Sequence, residues 1–177
     1  MKPPLQYGLI LAATNIVYTL VGFLLGFQSD KIADATVFGL LFYPILIVIL
    51  WLGIRAVREG AADKSMSYGK GVGSGVLISL YGSVVSSIYG FVHFTFINPN
   101  FGEYMMDLMH KKWAAAGMSD AQIDAASKFM KFSFNPAMMS VMGVIYTVII
   151  GLLIALIVAA ILKRAPQPVP AEAPPAA

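Results

Sequence analysis

The stretch SYGKGVGSG, residues 67–75, sets a lysine among alternating glycines, a composition found in loops that hold phosphate. A P-loop requires Gly, four residues and then Gly-Lys-Ser/Thr, so that backbone N–H groups and the lysine converge on one anion. Lys70 is followed by Gly71 instead, and Val76 stands where a dinucleotide fingerprint that includes Gly71 needs its third glycine. The stretch therefore matches neither motif.

Nucleophilic and metal chemistry have few residues to use in this chain. It has no cysteine and two histidines, His93 and His110, neither of which lies in a nucleophile motif. Met105, Met106, Met109 and His110 could bind Cu(I) through thioether and imidazole ligands, whereas flexible packing of the methionines explains the same cluster and is favoured. We expect no catalytic residues, no cofactor and no metal, and hence a protein that is not an enzyme.

Uncharged polar side chains inside long apolar segments offer a third kind of chemistry, which is hydrogen bonding away from water. Six such residues are candidates, and we call them the polar seam: Asn15, Thr19, Ser79, Ser83, Ser86 and His93. An interhelical hydrogen bond would explain Asn15, and an interfacial position would explain His93. The alternative is that the seam lines a path for a solute.

The apolar segments themselves are long enough to cross a bilayer. Hydrophobic residues make up 58% of the chain and charged residues 12%, with a mean hydropathy of +0.76. No Asp, Glu, Lys or Arg occurs in residues 3–29, 35–54, 71–102 or 132–162, and a crossing helix needs roughly 20 apolar residues. We predict an all-α protein of one domain, residues 1–165. It is a four-transmembrane-helix integral membrane bundle, with spans at about residues 5–27, 35–56, 70–97 and 136–162.

Basic residues concentrate on the side of the membrane that holds both predicted termini. They are Lys2, Arg55, Arg58, Lys64, Lys70, Lys163 and Arg164, all in short segments. The positive-inside rule therefore favours cytoplasmic N- and C-termini. Because these residues flank the spans, we expect the lipid bilayer as partner and no nucleic acid.

Two further segments lie outside the spans. Residues 100–132 are predicted to form an extracytoplasmic helical hairpin between helices 3 and 4, with capping pairs Asn100–Glu103 and Ser119–Gln122 and a stop at Gly117. Residues 166–177, PQPVPAEAPPAA, are rich in proline and alanine and lack apolar periodicity. They predict a disordered cytoplasmic tail.

Small residues recur at helical spacing in three of the spans. Gly71, Gly75, Ser79, Ser83 and Ser87 follow one another by four in the third, and Gly8 and Gly143 begin comparable rows in the first and fourth. Small side chains let helices approach closely in lipid, so we expect these three helices to pack together. We expect the bulky second span, kinked by Pro44, to be the most exposed to lipid.

Three segments carry a resemblance to a known family: MSYGKGVGSG at the start of the third span, GMSDAQIDAASKFMKF in the hairpin and GLLIALIVAAILKR at the end of the fourth. The chain resembles the DUF4199 membrane proteins, a bacterial domain of unknown function. The resemblance implies a protein of the bacterial inner membrane with a long extracytoplasmic connection, and it supplies no catalytic residues. Gly71 and Gly73 depart from the bulkier residues more usual there.

The leading functional hypothesis is a non-enzymatic scaffold or accessory subunit. It would associate with itself or with another membrane protein through the small-residue faces and the outer hairpin. One alternative is a transporter or channel for a small neutral or hydrophobic solute that uses the polar seam. Another is lipid binding at the outer leaflet by the amphipathic hairpin.

Overall fold

The computed structural model describes residues 1–166, so residues 167–177, and with them nearly all of the predicted tail, lie outside the described residues. Within residues 1–166 seven α-helices follow one another: α1 Pro3–Leu24, α2 Ala35–Leu40, α3 Phe42–Glu59, α4 Tyr68–Val92, α5 Phe101–Ala115, α6 Asp120–Ser133 and α7 Pro136–Leu162. A short 3₁₀ turn, Ile32–Asp34, precedes α2, and a π-turn, His93–Ile97, continues α4.

Four helical segments are long and apolar enough to cross a membrane: Pro3–Leu24, Ile32–Glu59, Tyr68–Ile97 and Pro136–Leu162. Their outward side chains are large and hydrophobic, and Val17, Ile88 and Ile157 are each more than half exposed. A soluble protein rarely shows so much continuous apolar surface. The all-α prediction with four membrane-spanning segments is confirmed, and the chain is a multi-pass membrane protein by this criterion.

The third span, α4, is the centre of the bundle and packs along both α1 and α7. The expected close packing of α4 with those two helices is therefore found. Glycine makes the approach possible, since a methyl group on Gly71 would lie 2.8 Å from the Cβ of Ala159, and one on Gly75 would overlap Ala155. The small-residue row thus serves packing within the chain at this end of α4.

The second span differs from its prediction in two ways. It breaks at Leu41, and Pro44 lies in the first turn of α3, where its missing N–H costs no helical hydrogen bond. The expectation that this span is the most lipid-exposed is wrong. In its most apolar stretch 28% of the residues are buried, as in α4, against 22% for α1 and for α7, because Leu50 and Ile54 fill the core beside α4.

Two helices, α5 and α6, occupy the segment between the third and fourth spans. Gly117 ends the first with a left-handed backbone (φ +76°), and the backbone N–H of Ser119 donates to Oε1 of Gln122 at 2.9 Å at the start of the second. The side chain of Asn100 forms no cap on α5, contrary to the sequence expectation. The ring of His110 bonds Ser127 (Nε2 to Oγ, 2.7 Å), which ties the two helices together.

Candidate functional site

A cavity of about 180 Å³ opens between α1, the start of α3, α4 and α7, and we call it the cleft. Its lining comprises Leu11, Asn15, Thr19, Phe42, Gly82, Ser83, Ser86, Ser87, Tyr89, Gly90, Phe94, Met139, Ser140, Gly143 and Thr147. A closed apolar cavity of about 150 Å³ is large enough to hold benzene. The cleft therefore has room for a small organic molecule or for several waters.

Four members of the polar seam meet in the cleft: Asn15 and Thr19 from α1, and Ser83 and Ser86 from α4. No hydrogen bond joins the side chains of Asn15, Thr19 or Ser86 to another described residue, so the interhelical bond expected of Asn15 is absent. Ser83 instead donates to the carbonyl of Leu80 at 3.1 Å. Asn15, Thr19 and Ser86 are only partly buried, and a molecule in the cleft can bond to their polar groups.

The fourth span adds polar residues to the cleft that the seam did not include. Ser140 and Thr147 lie two helical turns apart on α7, with Gly143 between them on the same face, and all three line the cavity. Ser140 donates to the carbonyl of Pro136 at 2.9 Å, whereas Thr147 makes no side-chain bond within the described chain. The spacing of three and four between small and polar residues on α7 is the sequence pattern that could have indicated that α7 also lines the cleft.

Ser79, the fifth seam residue, lies outside the cleft. Its side chain is fully buried, donates to the carbonyl of Gly75 at 3.0 Å and presses against Gly151 of α7. Ser79 therefore fills a helix contact, which is the role the small-residue pattern predicts.

His93, the sixth, belongs to an outer polar cluster made of Gln28, Tyr89, His93 and Asn98. The amide Nε2 of Gln28 donates to the carbonyl of Thr19 at 2.9 Å, which leaves Oε1 of Gln28 as the acceptor. That oxygen lies 2.9 Å from Nε2 of His93 and 3.3 Å from Nδ2 of Asn98. In a neutral imidazole Nδ1 is then the acceptor, and the Tyr89 hydroxyl donates to it at 3.1 Å.

A second cavity, of about 200 Å³, adjoins the cleft at the end near the outer polar cluster. Thr19 and Phe94 line both cavities. The walls of the second cavity are largely aromatic, with the rings of Phe27 and Phe38 stacked at 4.5 Å. We call it the aromatic mouth, since it lies beside the cleft at this end of the bundle.

The opposite end of the bundle is packed shut. Ile54 and Ile78 are fully buried there, and the Cβ of Ala155 meets the backbone face of Gly75. The cleft is thus closed toward the α3–α4 loop. No charged side chain is among the described residues that line the cleft, which favours an uncharged occupant.

The methionine-rich segment that the Cu(I) alternative would use lies on α5. Within residues 1–166 no group of three or more His, Asp or Glu side chains comes together. The Cu(I) alternative would use the imidazole of His110, whose Nε2 is already bonded to Ser127. Met105, Met106 and Met109 are half-buried on α5, as packing residues would be.

A family model described as a protein of unknown function, DUF4199, matches residues 6–164. No curated protein and no solved structure matches the chain. The matched range takes in α1 from its second turn and reaches past the end of α7, so it covers every helix of the bundle together with α5 and α6.

Proposed function

The chain belongs to the DUF4199 family, and we propose that it binds a small uncharged solute in the cleft as the binding step of transport across the membrane. The observation that carries the proposal is the convergence of unbonded polar side chains, Asn15, Thr19, Ser86 and Thr147, from three helices on one cavity. A solute with one or two hydrogen-bonding groups and an apolar body matches such a lining.

The shape of the bundle supports transport rather than a fixed pore. The cleft shares the lining residues Thr19 and Phe94 with the aromatic mouth at one end, and the buried side chains of Ile54, Ile78 and Ala155 close it at the other. This is the arrangement of a carrier in one of its two states, in which a solute reaches the site from one side. The distribution of Lys and Arg favours a cytoplasmic position for the closed end and an outer position for the mouth.

Uptake into proteoliposomes tests the proposal, with radiolabelled glycerol and urea as neutral solutes and rubidium ion as the charged control. The variant Gly143→Leu should abolish uptake of any neutral solute that the protein carries, because this side chain would enter the cleft from a position with nothing within 4 Å. Gly73→Leu is the matched control, since Gly73 is equally open but lies outside the cleft.

Neutral uptake that survives Gly73→Leu, and disappears in Gly143→Leu, supports a solute site in the cleft. Rubidium should not enter faster than in protein-free liposomes, because the cleft offers no carboxylate to replace the hydration of a cation. If neither neutral solute enters faster than in protein-free liposomes, the transport proposal is contradicted for these solutes. If Gly143→Leu transports normally, the cleft is not the route.

A second candidate is an accessory or scaffold role, in which the α5–α6 surface docks a membrane partner or a second copy of the chain. Phe129 and Phe132 are 71% and 62% exposed on α6, which leaves an apolar face outside the bundle. Part of the small-residue surface is already used within the chain, since Gly71 and Gly75 pack against α7 and Gly8 packs against α4. Crosslinking in native membranes tests this role. If it captures neither a partner nor a second copy through α6, the accessory or scaffold role is excluded. If only lipids are captured, binding to the outer leaflet is favoured.

A further inference from the structure

A pocket of about 640 Å³ lies at the closed end of the bundle, far from the cleft, and we call it the basic pocket. It is formed by the loop before α4 and by the residues that follow α7. Its lining comprises Ser65, Met66, Ser67, Tyr68, Lys70, Lys163, Arg164, Ala165 and Pro166. Three cations thus surround one concave site, and no carboxylate is among the described residues that line it.

The two walls of the basic pocket are held together by backbone hydrogen bonds. The N–H of Met66 donates to the carbonyl of Arg164 at 2.9 Å, and the N–H of Arg164 donates to the carbonyl of Met66 at 3.0 Å. The Met66 side chain is 1% exposed and packs beside Gly71. We call these two Met66–Arg164 hydrogen bonds the clamp. Because the clamp uses main-chain atoms, the side chains of Lys163 and Arg164 remain available to a ligand.

The nearby acids are engaged with other groups. Glu59 forms an ion pair with Arg58 at 2.6 Å. Asp63 lies near Lys70 but outside the lining, and the hydrogen bonds from Ser65 to its carboxylate hold the pKa of Asp63 below its usual value. Neither Glu59 nor Asp63 forms an ion pair with a cation of the pocket. The only other ion pair within residues 1–166 joins Lys111 to Asp107. Within residues 1–166 the positive charge of the pocket is therefore not neutralised by an ion pair.

The level of the pocket in the bilayer indicates the ligand that it binds. Lys163 directly follows the last residue of α7, and Lys70 lies in the first turn of α4, so both stand where membrane-spanning helices leave the hydrocarbon. Lipid phosphates occupy that level, and basic pockets between spanning helices on the cytoplasmic side bind anionic headgroups. We propose that the basic pocket binds the phosphate of an anionic phospholipid in this leaflet.

The test measures binding of fluorescent phosphatidylglycerol to the full-length protein in neutral detergent micelles. Replacing two cations in Lys163→Gln/Arg164→Gln should weaken binding about thirtyfold, since each basic residue near the surface contributes about a fivefold step. The matched control is Lys111→Gln/Lys112→Gln, which removes another consecutive pair from α5 and should leave the affinity unchanged. Thermal unfolding of both variants identifies any loss of folding.

A third variant, Lys70→Gln, removes a pocket cation from the other wall without touching the clamp and keeps the proposal testable if the double variant unfolds. It should weaken binding several-fold. Equal affinity of the Lys70→Gln and Lys111→Gln/Lys112→Gln proteins would overturn the proposal. Equal binding of phosphatidylcholine would also overturn it. Displacement of the fluorescent lipid by inorganic phosphate would overturn it too, and would assign the pocket to free phosphate.

Discussion

The two halves of α4 carry the same pattern of small residues, and the molecule uses them in opposite ways. In the closed half, Gly71 and Gly75 meet Ala159 and Ala155 of α7 so closely that no side chain would fit between them. In the open half, Ser86 and Gly90 face an equally small partner, Gly143, and the cleft remains. A row of small residues therefore permits close approach of two helices but does not by itself predict it.

The halves also differ in how their polar groups are satisfied. Ser74 and Ser79 in the closed half bond back to carbonyls one turn earlier, of Lys70 and Gly75, and need nothing from another helix. In the open half Ser83 and Ser87 also bond back to carbonyls of α4, whereas Ser86, and Asn15 on the facing α1, have no partner in the described chain. Close packing and the cavity thus lie at different levels of one bundle, and the following substitutions separate their effects.

The largest effect is expected from Gly75→Leu, which inserts a side chain where even a methyl group would overlap Ala155. Overpacking of this kind should lower the free energy of unfolding by about 3 kcal/mol, measured in mixed detergent micelles. Gly73→Leu, two residues away in open space, should be neutral or should stabilise the helix by up to about 1 kcal/mol. Equal losses for both variants would mean that the halves are not packed differently.

A smaller effect is expected at the outer polar cluster. Gln28→Ala removes bonds to the carbonyl of Thr19, to His93 and to Asn98, and should cost about 2 kcal/mol of unfolding free energy because a buried imidazole loses its partner. Ser86→Ala should change stability by less than about 0.5 kcal/mol, since the Ser86 hydroxyl has no protein partner to lose. A large loss for Ser86→Ala would show that the cleft is part of the folded core.

Much of the architecture follows from where charge is absent. The charge-free windows locate the four spans to within a few residues, since a bilayer excludes Asp, Glu, Lys and Arg from such lengths. The second span breaks just before α3, so Pro44 lies in the first turn of a helix, where proline is tolerated. Periodicity alone could not show that α3 buries Leu50 and Ile54 as deeply as α4 buries its own core residues.

The site was only half predictable. Asn15, Thr19, Ser83 and Ser86 were identifiable as polar residues on two spans, and they do line one cavity. Ser79, at the same four-residue spacing, is excluded because Gly151 of α7 closes on it. The sequence pattern specifies which side chains are small and polar, whereas the residue opposite each one, known only from the tertiary structure, decides between a contact and a cavity.

The most direct test of the account is the reactivity of single cysteines in native membranes toward a membrane-impermeant thiol reagent. The chain has no cysteine of its own, so Ser86→Cys and Ser79→Cys each place one thiol on α4, two turns apart. Ser86→Cys should be labelled, and a transported neutral solute should slow its labelling, while Ser79→Cys stays protected. Protection of both thiols would contradict an accessible cleft, and equal labelling of both would contradict the closed half.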